Sequence, residues 1–454
     1  MKDSKKRKKD TNMTQGKPLK MILQFMFPIF LGNIFQQFYN MVDTIIVGKF
    51  VGAKALAGVG STGTIMFLVI GFAIGISTGF SVLTSQKYGA GDEEGTRRSV
   101  ANGIILSAIF SLIITILSTV FMHDLLHLMN TPADIYDDAY AYIITICWGV
   151  TATIFYNLFS AYLRAIGNSR TPLYFLIFSS LLNIVLDLTF IIVLGRGTRG
   201  AAEATILSQA ISAVLCLIYI MKYVPTLRPH RKHWRLNMED TKGQLGIGLP
   251  MAAQYGITAS GTIIMQSAIN TFGSTAVAAF TAASKSQNIL TQGLLSIGQT
   301  MASYSGQNYG YGAIDRVEQG TRDAMKFVVV YSVIAAGIAI IGFRPLIQLF
   351  FNADVDLASI YPWARIYVYE CITCYIPLGM IFVYRNTMQG CGYSLQAMTL
   401  GIIELIARTI AAILAIVLHF YPLASGADPF AWLTGGLFAW FMYRHVLKKI
   451  NLKY

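Results

Sequence analysis

Four carboxylates lie inside long apolar stretches of this 454-residue chain: Asp43, Asp187, Glu370 and Glu404. A charge at bilayer depth costs about 2.5 kcal/mol or more even on a lenient insertion scale, so each calls for a partner or a task. Asp187 follows Asn183 by four residues, which puts both side chains on one face of a helix. Thr205 lies one helix later and can approach that face from a neighbour. Asp43 stands near the end of the first apolar segment, downstream of Pro28. Two carboxylates, an amide and a hydroxyl are hard oxygen ligands. Such a set can share a proton between its carboxylates or coordinate a sodium ion. The structural alternative is that Asn183 and Thr205 only bond across helices, and that Asp43 sits at the interface.

The remaining buried charges divide in the same way. Glu404 and Arg408 are four apart and can neutralise each other as an internal ion pair, with a structural and a functional role both open. Lys285, in Thr281-Ala-Ala-Ser-Lys285, has no acid nearby in sequence and is expected to face an aqueous cavity or a distant carboxylate. Glu203 reads as interfacial. Gly71, Gly75 and Gly79 recur every four residues and make a smooth face for close helix packing. All five cysteines (Cys147, Cys216, Cys371, Cys374 and Cys391) fall in apolar stretches. The Cys371–Cys374 pair lacks a second pair or a histidine cluster, so it reads as packing residues on one helix face rather than a zinc site. There is no GxxxxGK[ST], no HExxH and no nucleophile with a histidine–acid partner, which argues against an enzyme.

These residues are carried by an unusually apolar chain. Hydrophobic residues make up 54% and charged residues 13%, about half the charge of an average soluble protein, and the mean hydropathy is +0.55. Soluble multidomain and disordered classes are excluded. Twelve apolar segments recur, near 21–48, 56–84, 99–122, 138–160, 172–194, 202–221, 246–270, 276–300, 325–343, 361–383, 395–419 and 430–445, the last being the shortest and weakest. Continuous runs rather than alternation exclude a β-barrel. The net charge of +13 does not read as nucleic-acid binding, because the basic residues sit between apolar segments. With twelve spans, 27 Lys and Arg, Arg385 among them, collect on the side of the termini and 5 on the other, which predicts both termini in the cytoplasm. The polar leader predicts no cleaved signal peptide.

The chain also resembles itself. Gln86-Lys-Tyr-Gly-Ala-Gly91 answers Gln307-Asn-Tyr-Gly-Tyr-Gly312, Gly52 answers Gly273, and Pro28 answers Pro250. Gly95-Thr-Arg97 answers Gly320-Thr-Arg322, and Gly167-Asn-Ser169 answers Gly392-Tyr-Ser394. Six spans per repeat is an even number, so both halves enter the membrane in the same sense, as a parallel repeat. The expected organisation is a basic cytoplasmic tail (1–20), an N-terminal six-helix lobe (21–221), a basic linker (222–242), a C-terminal six-helix lobe (243–445) and a short tail (446–454). The linker's charge run reads as a solvated connector, with lipid head-group binding as the alternative. The fold class is an all-α integral membrane protein of twelve transmembrane helices.

Taken jointly, several stretches resemble the multidrug and toxic compound extrusion (MATE) family, in its DinF-like bacterial branch. They are Gln36-Gln-Phe-Tyr39-Asn-Met-Val-Asp43-Thr-Ile-Ile-Val-Gly48, Ala55-Leu-Ala57 and the two paired glycine loops. Arg164-Ala-Ile-Gly167-Asn-Ser169-Arg-Thr-Pro172, Asn183 with Asp187, Ala204-Thr205, and Glu404 with Arg408 extend the likeness. It covers the chain from about Pro18 to Arg408, and the region after His419 reads as shortened.

The resemblance implies a V-shaped pair of lobes that alternate between inward- and outward-facing states. It implies a monomer in the bacterial inner or plasma membrane that exports amphipathic, often cationic compounds against proton or sodium entry, with no cofactor besides that ion. Asp43, Asn183, Asp187 and Thr205 would form the cation-coupling site, a candidate sodium site among them. Tyr39, Asn157, Lys285, Glu404 and Arg408 would line the substrate cavity. Membrane lipids are the other expected partners. At the place of Asp43 the second half has Ile264 or Met265, so coupling should be asymmetric. The alternative is a lipid-linked oligosaccharide flippase, for whose pyrophosphate only Lys285, Arg365 and Arg408 are available.

Overall fold

The computed structural model describes residues 12–129, 131–351 and 356–452, so most of the expected N-terminal tail and the last residues of the C-terminal one lie outside the described residues. Among the described residues there is no strand. The first repeat comprises α1 (Pro18–Phe50), α2 (Ala53–Ser61), α3 (Gly63–Gly89), α4 (Glu93–Leu128), α5 (Tyr136–Trp148), α6 (Val150–Ala165), α7 (Arg170–Asp187) and α8 (Gly197–Tyr223). The second comprises α9 (Met238–Asn270), α10 (Ser274–Leu290), α11 (Gln292–Gly310), α12 (Ile314–Ile341), the short α13 (Phe343–Gln348), α14 (Leu357–Thr373) and α15 (Tyr375–Gly390). It ends with α16 (Ser394–Leu418), the short α17 (Tyr421–Ser425) and α18 (Ala427–Asn451).

Among the described residues, seven helices are individually long and apolar enough to cross a membrane, and nine spans result if each of two bent pairs counts once. Their outer faces carry unpartnered apolar side chains: Leu112, Val120, Val333, Ile341 and Val417 are each more than half exposed. A soluble surface does not tolerate such bands; lipid does.

Several segments that read as single runs are broken. The 56–84 stretch divides at Thr62, 138–160 at Gly149 with a 49° bend, 276–300 at Thr291, and 361–383 at Cys374 with a 51° bend. At Gly149 the chain passes so close to α8 that a Cβ there would collide with the Ile206 side chain, which is why the break carries a glycine. Cys371 lies in the last turn of α14 and Cys374 is the break itself, so the two do not sit on one continuous helix as expected. The last helix is not short either, since α18 runs for 25 residues, as many as α16.

The repeat is written into the backbone. Gly52 and Gly273, Gly91 and Gly312, and Gly167 and Gly392 all adopt positive φ, between 73° and 124°. An L side chain rarely takes that conformation, which is why glycine recurs at these turns. Pro28 and Pro250 both lie inside their helices, α1 and α9.

Contacts divide the chain into two compact units, one of Leu31–Gly256 and one of Met13–Phe30 with the chain from Ile257 onward. The division therefore runs through α1 and α9, not through the 222–242 linker. In the first unit Gly71, Gly75 and Gly79 of α3 lie against Tyr255, Ala252 and Gly248 of α9, where any added Cβ would come closer than real Cβ atoms do. The smooth glycine face is thus a helix–helix contact.

The linker is not merely a solvated connector. It makes two 3₁₀ turns, Pro225–Leu227 and Arg231–His233, and folds onto α4. Arg98 Nε donates to Asp240 Oδ2 at 2.6 Å, and buried His233 contacts Glu94 Oε1 through Nε2 at 2.7 Å. Asn102 accepts from the Asn237 backbone N–H and donates to Gln244. In the second unit the end of the N-terminal tail is likewise held. Met13 is fully buried, and its N–H donates to Gln307 Oε1 while Arg316 donates to the Met13 and Gly16 carbonyls.

Candidate functional site

The oxygen cluster expected from sequence assembles in the first unit from three helices. α7 contributes Asn183 and Asp187, one turn apart and 1% and 0% exposed; α8 contributes Thr205, 5% exposed; and α1 contributes the half-buried Asp43. Asn183 Nδ2 donates to Thr205 Oγ1 at 3.4 Å, and Thr205 Oγ1 donates onward to the Ala201 carbonyl at 3.1 Å. The amide and the hydroxyl therefore do bond across helices, as the structural alternative required.

That bonding leaves the acids unserved. The carboxyl groups of Asp43 and Asp187 lie close enough for each to feel the charge of the other. Two carboxylates are both acceptors, and among the described residues no donor reaches Asp43 Oδ1, either oxygen of Asp187, or Asn183 Oδ1. Buried polar atoms in native proteins nearly always have partners, and uncompensated buried charge is costlier still. The set is chemically complete only with a proton between the carboxylates or a hard cation among the oxygens.

Two features around the cluster have no counterpart in the sequence reading. Directly after Asp187 the helix widens into a π-helical stretch, Leu188–Val193, closed by Leu194 N–H on the Thr189 carbonyl at 3.0 Å. Such widenings recur at functional sites, but nothing in the apolar run announces this one. Buried Tyr142 of α5 joins half-buried Tyr39 in the electrostatic surroundings of Asp43 and Asp187. It is one of several tyrosines near the start of α5, so sequence alone does not single it out.

The other candidates are distributed between the units. Asn157 donates to the Thr153 carbonyl at 2.8 Å, and Thr153 donates to Gln209, which lies one turn beyond Thr205 on α8. Asn157 thus belongs to a polar chain that ends on α8 one turn from Thr205. Lys285 is exposed, with Nζ 5.9 Å from the centre of the Phe350 ring. Glu404 and Arg408 are each 6% exposed, and their ion pair, at 3.6 Å, is part of a larger set. Arg408 Nε donates to Asp428 Oδ1 at 2.7 Å, and Arg385 Nη1 lies 3.7 Å from Glu404 Oε1. Arg385, counted above with a cytoplasmic loop, is in fact helical and largely buried beside this acid. Glu370 accepts from Ser425 Oγ at 2.7 Å, and Glu203 pairs with Arg196 and Arg199. Met265, at the place of Asp43, lies in the apolar core of the second unit.

A multi-pass helical chain built from a tandem repeat, with a buried oxygen cluster in one half, has the form of a membrane transporter. The MatE family model matches residues 28–189 and 250–414, each match beginning at one of the paired prolines. The chain belongs to this family of MATE multidrug efflux transporters. It is 31% identical to the probable multidrug resistance protein YpnP of Bacillus subtilis, over 87% of both chains. It is also 20% identical to an FAD transporter of Shewanella oneidensis, over 85% of both. The DNA damage-inducible protein F of Escherichia coli is 25% identical over 45% of this chain and 44% of that one. Among solved structures, a MATE in complex with MaL6 superposes with a TM-score of 0.90 at 22% identity, covering 98% of this chain and 99% of that one.

Proposed function

We propose that this protein is a secondary antiporter that exports small amphipathic, often cationic molecules in exchange for protons or sodium ions. The observation that carries the reading is the pair Asp43 and Asp187, whose buried oxygens lack a donor among the described residues, beside Asn183 and Thr205. Cargo and ion would compete through one conformational equilibrium, so that each weakens the binding of the other. Loading the cluster with a proton or cation removes negative charge from the first unit and weakens its attraction for a cationic cargo. Pro28 offers α1 a place to bend as this happens, because its ring removes the N–H that would bond the carbonyl one turn back. The charge asymmetry of the loops supports a multi-pass orientation with both termini cytoplasmic, and the protein would act as a monomer.

The test is efflux of a fluorescent cationic dye from proteoliposomes under an imposed proton gradient and then a sodium gradient. Transport under one gradient, lost in Asp43→Asn and Asp187→Asn, supports the antiporter and identifies its ion. Gradient-independent movement, or full activity in both variants, refutes it. Since one relative is an FAD transporter, a flavin dinucleotide belongs in the cargo panel as the anionic counter-example.

A further inference from the structure

The second unit carries a different solution at the corresponding place. Asn183 and Arg408 follow the paired positive-φ glycines, Gly167 and Gly392, at the same separation, so Arg408 stands on α16 where Asn183 stands on α7. In that alignment Asp187 corresponds to Ala412, which is 1% exposed, and Asp43 to an apolar side chain. The acids come instead from new positions: Glu404 one turn before Arg408, and Asp428 from the first turn of α18.

Arg408 sits between them, with Nε 2.7 Å from Asp428 Oδ1 and Nη2 3.6 Å from Glu404 Oε2. Arg385 approaches the other oxygen of Glu404, so two guanidiniums face two carboxylates and the set is neutral. The packing is close. A Cβ on Gly261 would lie 3.0 Å from Arg408 Cδ, and one on Gly435 would lie 2.9 Å from Glu404 Cγ.

We propose that Arg408 is a tethered cation. Its guanidinium takes, in the second repeat, the place that an exchangeable proton or cation takes in the first, and it holds Glu404 and Asp428 permanently compensated. The second unit is thereby kept in the loaded charge state, and ion dependence is confined to the first. This rests on the reading of the Asp43–Asp187 cluster only for the comparison; the claim about Arg408 concerns the second unit alone.

The test is thermal unfolding of the full-length protein in nanodiscs, in choline, sodium or guanidinium chloride at equal millimolar concentration. Wild type should be indifferent to the cation. Arg408→Ala should lose on the order of 10 °C in choline and recover at least half of that loss in guanidinium or sodium. A Glu404→Gln/Arg408→Ala/Asp428→Asn variant should regain stability without any added cation. If Arg408→Ala is too unstable to isolate, isolation of the neutralised triple variant supports the same conclusion. Arg408→Ala as stable as wild type in choline would overturn the proposal. So would a loss that neither the cations nor neutralisation of the two acids repairs, since Arg408 would then serve packing alone. Repeating the series with Asp187→Asn separates the two ideas. Transport surviving Asp187→Asn removes the antiport reading, while the cation rescue of Arg408→Ala reports only on the second unit.

Discussion

Asp43 of α1 and Asp187 of α7 place two carboxyl groups where each feels the charge of the other, and among the described residues no donor reaches either oxygen of Asp187. Beside them, Asn183 Nδ2 donates to Thr205 Oγ1 and the Thr205 hydroxyl donates to the Ala201 carbonyl, so neither of these bonds serves the acids. The helices thus converge on a place where a positive species would complete the bonding, and among the described residues no side chain donates to either oxygen of Asp187.

Replacing Asp187 by Asn gives Asp43 the donor it lacks. Asp187→Asn is expected to fold with an unfolding temperature near that of wild type. Its gradient-driven dye transport should fall by about tenfold or more, the scale of an ordinary coupling free energy. Thermal unfolding and proteoliposome flux on the same preparation check this.

The contact of α3 with α9 leaves no space for a side chain at Gly75, whose Cβ would meet the Ala252 backbone at 2.6 Å. Gly75→Val should cost about 1–3 kcal/mol through overpacking. Gly60→Ala, at a position open to solvent or lipid with nothing within 4 Å, should be nearly neutral. Detergent-based thermal shift assays distinguish the two.

Asp240 is 1% exposed and anchors the linker to Arg98, which is one-third exposed. Asp240→Ala should cost about 1–3 kcal/mol, the penalty of removing a hydrogen-bonded partner from a charged group. It should also raise deuterium exchange across residues 225–237. Exchange that stays at the wild-type level would show the linker to be held by its other contacts.

Pro28 interrupts the hydrogen-bond ladder of α1. Pro28→Ala restores one backbone bond and should stabilise the helix by up to about 3 kcal/mol. Transport should slow if bending of α1 belongs to the cycle, and single-turnover dye release measures that rate.

Much of this arrangement is legible in the chain because the relevant signals are local. Asn183 and Asp187 are a helical turn apart, and the paired glycines advertise turns that only glycine makes without strain. The break at Cys374 has a local mark in Pro377, whose ring and missing N–H disturb the bond to the Thr373 carbonyl. Thr62 and Thr291 lie in short polar stretches beside Gly63 and Gly293, signals that hydropathy averaged over a whole span conceals. The π-helical stretch after Asp187 leaves no mark in its apolar run. Asp428 was missed for another reason. Its partnership with Arg408 joins α16 to α18 across a turn and a short helix, and sequence spacing says nothing about such a meeting. The linker's basic residues suggest a solvated face, whereas buried His233 and Asp240 decide where it lies.

The central claim is that cargo and ion exclude each other through Asp43 and Asp187, and ion displacement measures it most directly. A transported dye is added to purified protein in weakly buffered solution, and proton or sodium release is recorded. The account predicts about one ion released per protein in wild type and none in Asp43→Asn/Asp187→Asn. Equal release from both proteins, or none from a wild type that binds and transports the dye, would contradict it.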